Sequence, residues 1–294
     1  VALYLTVIGI LLFVVIGVYA AAFINRAAEP VSFDGVRALA DVQTQVDFGP
    51  RIPGSTGHEQ AREWIRAELE HAGWAVEVQR AERLGHPIHN IIAKRSAEAP
   101  QIILGAHYDT RMYADNDPTP GMQAMPVPGA NDGASGAAVL LEIARTLPED
   151  SVPVWLVFFD AEDNGNIEGW DWILGSRAFA EEIEVRPRAV VIVDMIGDAD
   201  LNIYLEKSSD KEIRAEIWSA AESLGYAEKF INHEKWNMLD DHTPFLEKGI
   251  PAVVVIDFDY PYWHTTQDAP DKVSAESLKA VGDTLLKWIA ENPR

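Results

Sequence analysis

The sequence predicts an α/β sandwich built on a central mixed, mostly parallel sheet. Three observations predict it. Four apolar runs, IILGA at 102–106, VWLVFF at 154–159, AVVIV at 189–193 and PAVVVI at 251–256, are continuous rather than alternating, as in strands covered on both faces. Helical patterns near 133–146, 211–224 and 274–291 separate or follow these runs, and strands alternating with helices indicate an α/β fold. After the first two dozen residues the composition does not shift again, so residues 34–294, in a chain that is 48% hydrophobic, read as one domain around one large core.

From the start of the chain, Ala2 to Ile24 carries no charge, and at a rise of about 1.5 Å per residue it covers a hydrocarbon core of about 30 Å. Residues 1–25 are therefore expected to form a transmembrane helix or signal anchor. A cleaved signal peptide competes, since Ala20, Ala21 and Ala22 are small, but the run exceeds the roughly 7–15 apolar residues of such a core. The expectation is a membrane-anchored protein with its acidic domain outside the cytoplasm. Residues 26–33 follow as a linker. Val36, Leu39, Val42 and Val46 then recur at helical spacing until Gly49-Pro50 breaks the pattern. Ser55-Thr56-Gly57 can cap a second helix running to about Ala72, and an extended stretch begins at Ala75–Val78 after Gly73. The longest irregular stretch, Thr110 to Ala130, contains four prolines and precedes a candidate ligand, a position where long loops are usually functional.

A formal net charge of −22 with scattered Lys and Arg residues argues against nucleic acid as a partner. The chain has no cysteine, which excludes a disulfide framework, a thiolate metal site and a lipid-modified cysteine anchor together.

In open α/β sheets ligands sit beyond the carboxyl ends of the strands. There the runs are followed by His107-Tyr108-Asp109, by Asp160-Ala161-Glu162-Asp163, by Asp194 and, after a short loop, by Trp263-His264; Asp132 lies in GANDGASG at a helix start. Singly, each has an ordinary explanation, and Asp132 could simply cap its helix. Together, two imidazoles and several carboxylates converging on one sheet edge form a ligand set suited to zinc. In DAED, one acid can bind the metal while its neighbour moves protons, which makes Asp163 the ligand and Glu162 the general acid/base. Asp109, two residues beyond His107, is placed to hold the other imidazole nitrogen.

HYD, GANDGASG, FFDAED, LGSR, VDMIGD, DDHTPF and WHTTQD, in this order, resemble the zinc aminopeptidase and glutaminyl cyclase superfamily over roughly residues 35–292, and FGPRIPGS at 48–55 is similar to its lead-in. In the aminopeptidase arrangement the resemblance implies two zinc ions: His107 and Asp194 on one, Asp163 and His264 on the other, Asp132 bridging, with Glu162 as catalytic base. Finer details resemble the bacterial relatives of animal-type glutaminyl-peptide cyclotransferases: the loop from Arg111 to Asp117, the DAED form, the tryptophans before LGSR, Asp240 before Asp241-His242, and Trp263 beside His264. Asp163 is one methylene shorter than its counterpart in the animal enzymes. The cyclase reading implies a single zinc on Asp132, Asp163 and His264, Glu162 as proton shuttle, and Asp194 and Asp240 as a hydrogen-bonding acid network. Trp263, Trp170 and Trp172 are then expected to wall the substrate pocket, and the partner is a peptide with a free N-terminus. Some superfamily relatives are metal-free membrane scaffolds; every ligand position is intact here, which favours an enzyme. The oligomeric state is left open.

Overall fold

The computed structural model describes residues 32–292. The expected membrane helix and the linker up to residue 31 lie outside them. Among the described residues, no helix is long and apolar enough to cross a membrane.

The chain order begins with helices α1 (Gly35–Asp47) and α2 (Thr56–His71), then strands β1 (Ala75–Arg83), β2 (His86–Lys94) and β3 (Ile102–His107). Helix α3 (Ala134–Thr146), β4 (Val154–Phe159), α4 (Leu174–Glu182), β5 (Ala189–Asp194) and β6 (Ile203–Leu205) follow. Helix α5 (Lys211–Ser223), β7 (Phe230–Glu234), α6 (Thr243–Glu247), β8 (Ala252–Ile256) and α7 (Ala275–Ala290) complete it. Polar caps start several helices: Asp34 accepts from Val36 and Arg37, Ser55 from His58, Asp210 from Glu212 and Ile213, and Ser274 from Ser277.

The six-stranded sheet has the order β1-β2-β4-β3-β5-β8. The four apolar runs form its parallel part, while β1 and β2 extend it as an antiparallel hairpin. Alternate residues of one strand enter different cores. Leu104, Leu156, Val191 and Val253 pack with α1, α2, α3, α5 and α7 on one face. Ile103, Val157, Ile192 and Val254 pack with Phe179 of α4 and Phe245 of α6 on the other. Burial on both faces explains why these runs carry no polar alternation. Phe33, expected to close the linker, is a core residue at 1% exposure.

Register decides where the chemistry gathers. His107 pairs with Phe159 and Asp194 with Ile256, so the parallel strands finish together at one edge of the sheet. Two glycines let α3 reach that edge. A Cβ on Gly136 would stand 2.4 Å from the Val193 carbonyl oxygen, and one on Gly133, whose φ is +94°, would stand 2.6 Å from that of Asp109.

Candidate metal centre and pocket

Beyond that edge two triads of side chains share one member. His107 Nε2 lies 3.1 Å from Asp132 Oδ1 and 3.1 Å from Asp194 Oδ1. His264 Nε2 lies 2.8 Å from Asp163 Oδ1 and 3.7 Å from Asp132 Oδ2. All five residues are buried, and within each triad the donor atoms lie within 4.8 Å of one another. Asp132 thus turns one oxygen to each histidine, and it does not cap α3, whose N-cap is Gly133. Its position is set from behind: Asp268 accepts the backbone N–H groups of Asn131 at 2.8 Å and Asp132 at 3.1 Å, and the Tyr260 hydroxyl at 2.7 Å.

The donor set fits a dication. Asp132 Oδ2 and Asp163 Oδ2 are buried without a hydrogen-bond donor, a costly arrangement unless a cation satisfies them. Imidazole with carboxylate is a borderline N/O set of the kind that suits zinc. The electrostatics agree. Burial opposes a charged His107, yet Asp194, Asp109 and Asp132 raise its pKa well above 6.5. Burial, then Asp132, pushes Asp163 up to about 6 against the pull of His264. Such crowding of buried acids is typical of functional sites.

Glu162 sits beside this cluster. Burial above all, with Asp163, Asp241 and Asp240 adding to it against His107, raises its pKa well above 4.5. Asp240 is pushed up to about 7 by burial and then by Asp194. Asp109 is buried with Oδ1 3.4 Å from His107 Nδ1. It also accepts the backbone N–H groups of Glu162 and Asp163, at 2.9 and 3.3 Å. Asp160, the remaining acid of DAED, turns away: it contacts His58 Nε2 at 2.8 Å and accepts the His89 N–H at 2.7 Å.

A cavity of about 270 Å³ opens on the cluster and is lined by Glu162, Asp163, Asp194 and Asp240, with Trp172 and Trp263 among its walls. The expectation for Trp170 is corrected. It is not a lining residue; its indole stacks on His86 of the β1–β2 hairpin, with centroids 3.6 Å apart. Trp172 and Trp170 share one loop without periodicity, so their faces are not distinguished by sequence.

The wall also contains Trp236, Met238 and Phe258, which the sequence reading missed. Their signal was available: Trp236 to Leu239 directly precede Asp240, and Phe258 follows the last parallel strand. Two supports were missed as well. Arg51, fully buried, donates to the carbonyls of Tyr108, Pro128 and Gly129 at 3.0, 2.9 and 2.5 Å, tying the segment before Asp132 to the end of β3. Glu206 accepts from the backbone and hydroxyl of both Ser208 and Ser209 and from the Met238 N–H, anchoring the wall that carries Asp240.

Known proteins are similar to this chain in sequence and in fold. The sequence model of peptidase family M28 matches residues 90–289. The chain is 27% identical to the glutaminyl-peptide cyclotransferase of Drosophila melanogaster over 261 residues, covering 74% of this chain and 70% of that protein. Its structure is similar to that of Porphyromonas gingivalis glutaminyl cyclase, with TM-score 0.84, 36% identity and coverage of 88% of this chain and 99% of that one. A Zn-dependent exopeptidase from Parabacteroides distasonis is similar at TM-score 0.82 and 33% identity, covering 88% of this chain and 98% of the other. The span matched by the family model contains both triads and Glu162, and the chain belongs to peptidase family M28.

Proposed function

We propose that the chain is a zinc-dependent glutaminyl-peptide cyclotransferase, converting an N-terminal glutamine to pyroglutamate with release of ammonia. The observation that carries this reading is the composition of the cavity. Asp240 and Asp194 face the same small space as Glu162, between Trp172 and Trp263. Acids there can hold an amine and a departing ammonia, and apolar walls around them exclude water as a nucleophile. The similarity to cyclases from Drosophila melanogaster and Porphyromonas gingivalis supports the same reading.

Asp132, Asp163 and His264 would hold one zinc, which supplies Lewis acidity toward the side-chain amide of the substrate. The chain's own groups do the rest. Trp172 and Trp263 would orient the glutaminyl stem so that its α-amine faces its own side-chain carbon. The bond from that nitrogen to Cδ forms, the bond from Cδ to the amide nitrogen breaks, and no water is consumed. Glu162 would accept the proton that the α-amine loses and return it to the leaving nitrogen. Asp194 and Asp240 would bind the ammonia as it departs.

A second reading, a zinc aminopeptidase, is favoured by one observation: the oxygens of Asp132 are divided between His107 and His264, as a pair of metals would require. Ammonia release from a glutaminyl dipeptide, measured beside amino-acid release from a leucyl peptide, separates the two. Ammonia with a pyroglutamyl product and no cleavage supports the cyclase; cleavage without ammonia overturns it. The proposal includes a membrane tether outside the described residues, supported by the charge-free run from Ala2 to Ile24.

A further inference from the structure

His264 holds its backbone at φ +57°, in the left-handed region. A non-glycine residue keeps such a conformation only where its surroundings enforce it. The enforcing contacts come from the irregular loop after β3 and from two tryptophans outside it. The Asn116 N–H donates to the His264 carbonyl at 3.1 Å. Asp117 accepts the backbone and hydroxyl of Thr266 at 3.0 and 2.6 Å. Trp172 stacks along the imidazole with centroids 5.9 Å apart, and Trp263 packs against it at 3.9 Å.

The imidazole has two nitrogens, and each faces an acid. Nε2 faces Asp163 and Asp132; Nδ1 lies 3.6 Å from Asp115 Oδ1. That separation is slightly longer than a hydrogen bond, so it orients the ring by charge. Asp115 is itself held. Arg111, buried at 2% exposure, donates to both of its oxygens at 2.8 and 2.5 Å. Nη1 of Arg111 also donates to the carbonyls of Asp163 at 2.8 Å and Gly165 at 3.1 Å, and its guanidinium lies 5.0 Å from the Trp172 ring. One planar cation therefore touches the backbone of Asp163, the acid beside His264, and the ring stacked on His264. Its fork geometry suits this better than a lysine would.

We propose that Asp115, held by Arg111, is a positioning residue for His264: it keeps the proton on Nδ1 and leaves the Nε2 lone pair directed at the metal. Asp109 serves His107 differently, since its oxygens also accept backbone N–H groups and it is fully buried. The Asp115 side chain is 47% exposed. Its orientation therefore depends on Arg111, because solvent competes for a carboxylate that packing alone does not fix. The inference rests on the zinc reading of the Asp132, Asp163 and His264 triad, and not on which reaction follows.

The test is zinc affinity of the full chain, measured by competition with a chromogenic chelator, beside the unfolding temperature of the metal-free chain. Asp115→Ala is expected to weaken zinc binding by about 10- to 100-fold, the usual effect of losing such a partner, while the metal-free unfolding temperature stays unchanged. Asp115→Glu should restore most of the loss. Arg111→Lys, which keeps the charge but cannot grip both oxygens, should weaken binding as Asp115→Ala does. Wild-type zinc affinity in Asp115→Ala overturns the proposal. So does a loss of metal-free stability in that variant that Asp115→Glu fails to repair, because the role is then structural. No substrate enters the measurement, so failure to release ammonia would sink the cyclase reading and leave this result intact.

Discussion

The carboxylate of Asp109 accepts the backbone N–H of Glu162 at 2.9 Å. The same side chain accepts the Asp163 N–H and lies 3.4 Å from His107 Nδ1, so one acid aligns Glu162, a residue of one triad and a residue of the other.

Asp109→Ala should therefore lower kcat and zinc affinity together, each by about 10- to 100-fold. Steady-state kinetics with a chelator titration checks this. Unchanged values in both would reduce Asp109 to a turn residue.

Glu162→Gln should keep the metal and lose at least about 100-fold in turnover, since the amide cannot move a proton and general acid/base catalysis typically contributes that much. Metal analysis beside kinetics decides it. Near-wild-type turnover would remove Glu162 from the proton path.

Trp172 lines the cavity and stacks on His264, whereas Trp170 packs on His86. Trp172→Ala is expected to lower kcat/KM by about tenfold, equivalent to about 1.4 kcal/mol of lost binding, and Trp170→Phe to leave it unchanged. Equal losses in both would mean that the loop acts as a unit.

Glu206 gives the pH prediction. Burial pushes its pKa up, but the contact with His242 and the donors at Ser208 and Ser209 outweigh burial and hold it well below 4.5. A depressed acid stabilises the fold above its unfolded value, and that stability disappears as pH falls below 4.5 toward the folded value. Glu206→Gln should thus cost about 2 kcal/mol or more at neutral pH and flatten the acid limb of the stability profile. Urea unfolding across pH 3–7 measures it. A parallel downward shift with an unchanged acid limb would assign the acid sensitivity to other carboxylates.

Much of this site can be read in the sequence because the ligands follow strands that are themselves conspicuous. A strand buried on both faces has no room for polar alternation, so IILGA and AVVIV stand out and His107 and Asp194 are found by adjacency. Strand β2 was missed for the opposite reason: HPIHNIIAK mixes buried and half-exposed positions between β1 and β4. Arg51, Asp115 and Glu206 were illegible as supports because they act largely through contacts that only folding creates. Arg51 reaches carbonyls 57 to 78 residues away, and no local pattern encodes such a contact.

Ala161, Met195 and His264 all adopt positive φ, at 53°, 46° and 57°. They stand beside Glu162, beside Asp194 and at a metal-facing histidine, the places where side chains must be aimed off the sheet edge. A screen for heat-tolerant variants would therefore be drawn to glycine at 161 and 195, where relief of the backbone competes with glycine's greater freedom in the unfolded chain. Variants selected that way should lose the aim of their neighbours, so thermal hardening of this enzyme is better sought in surface loops far from the carboxyl ends of the strands.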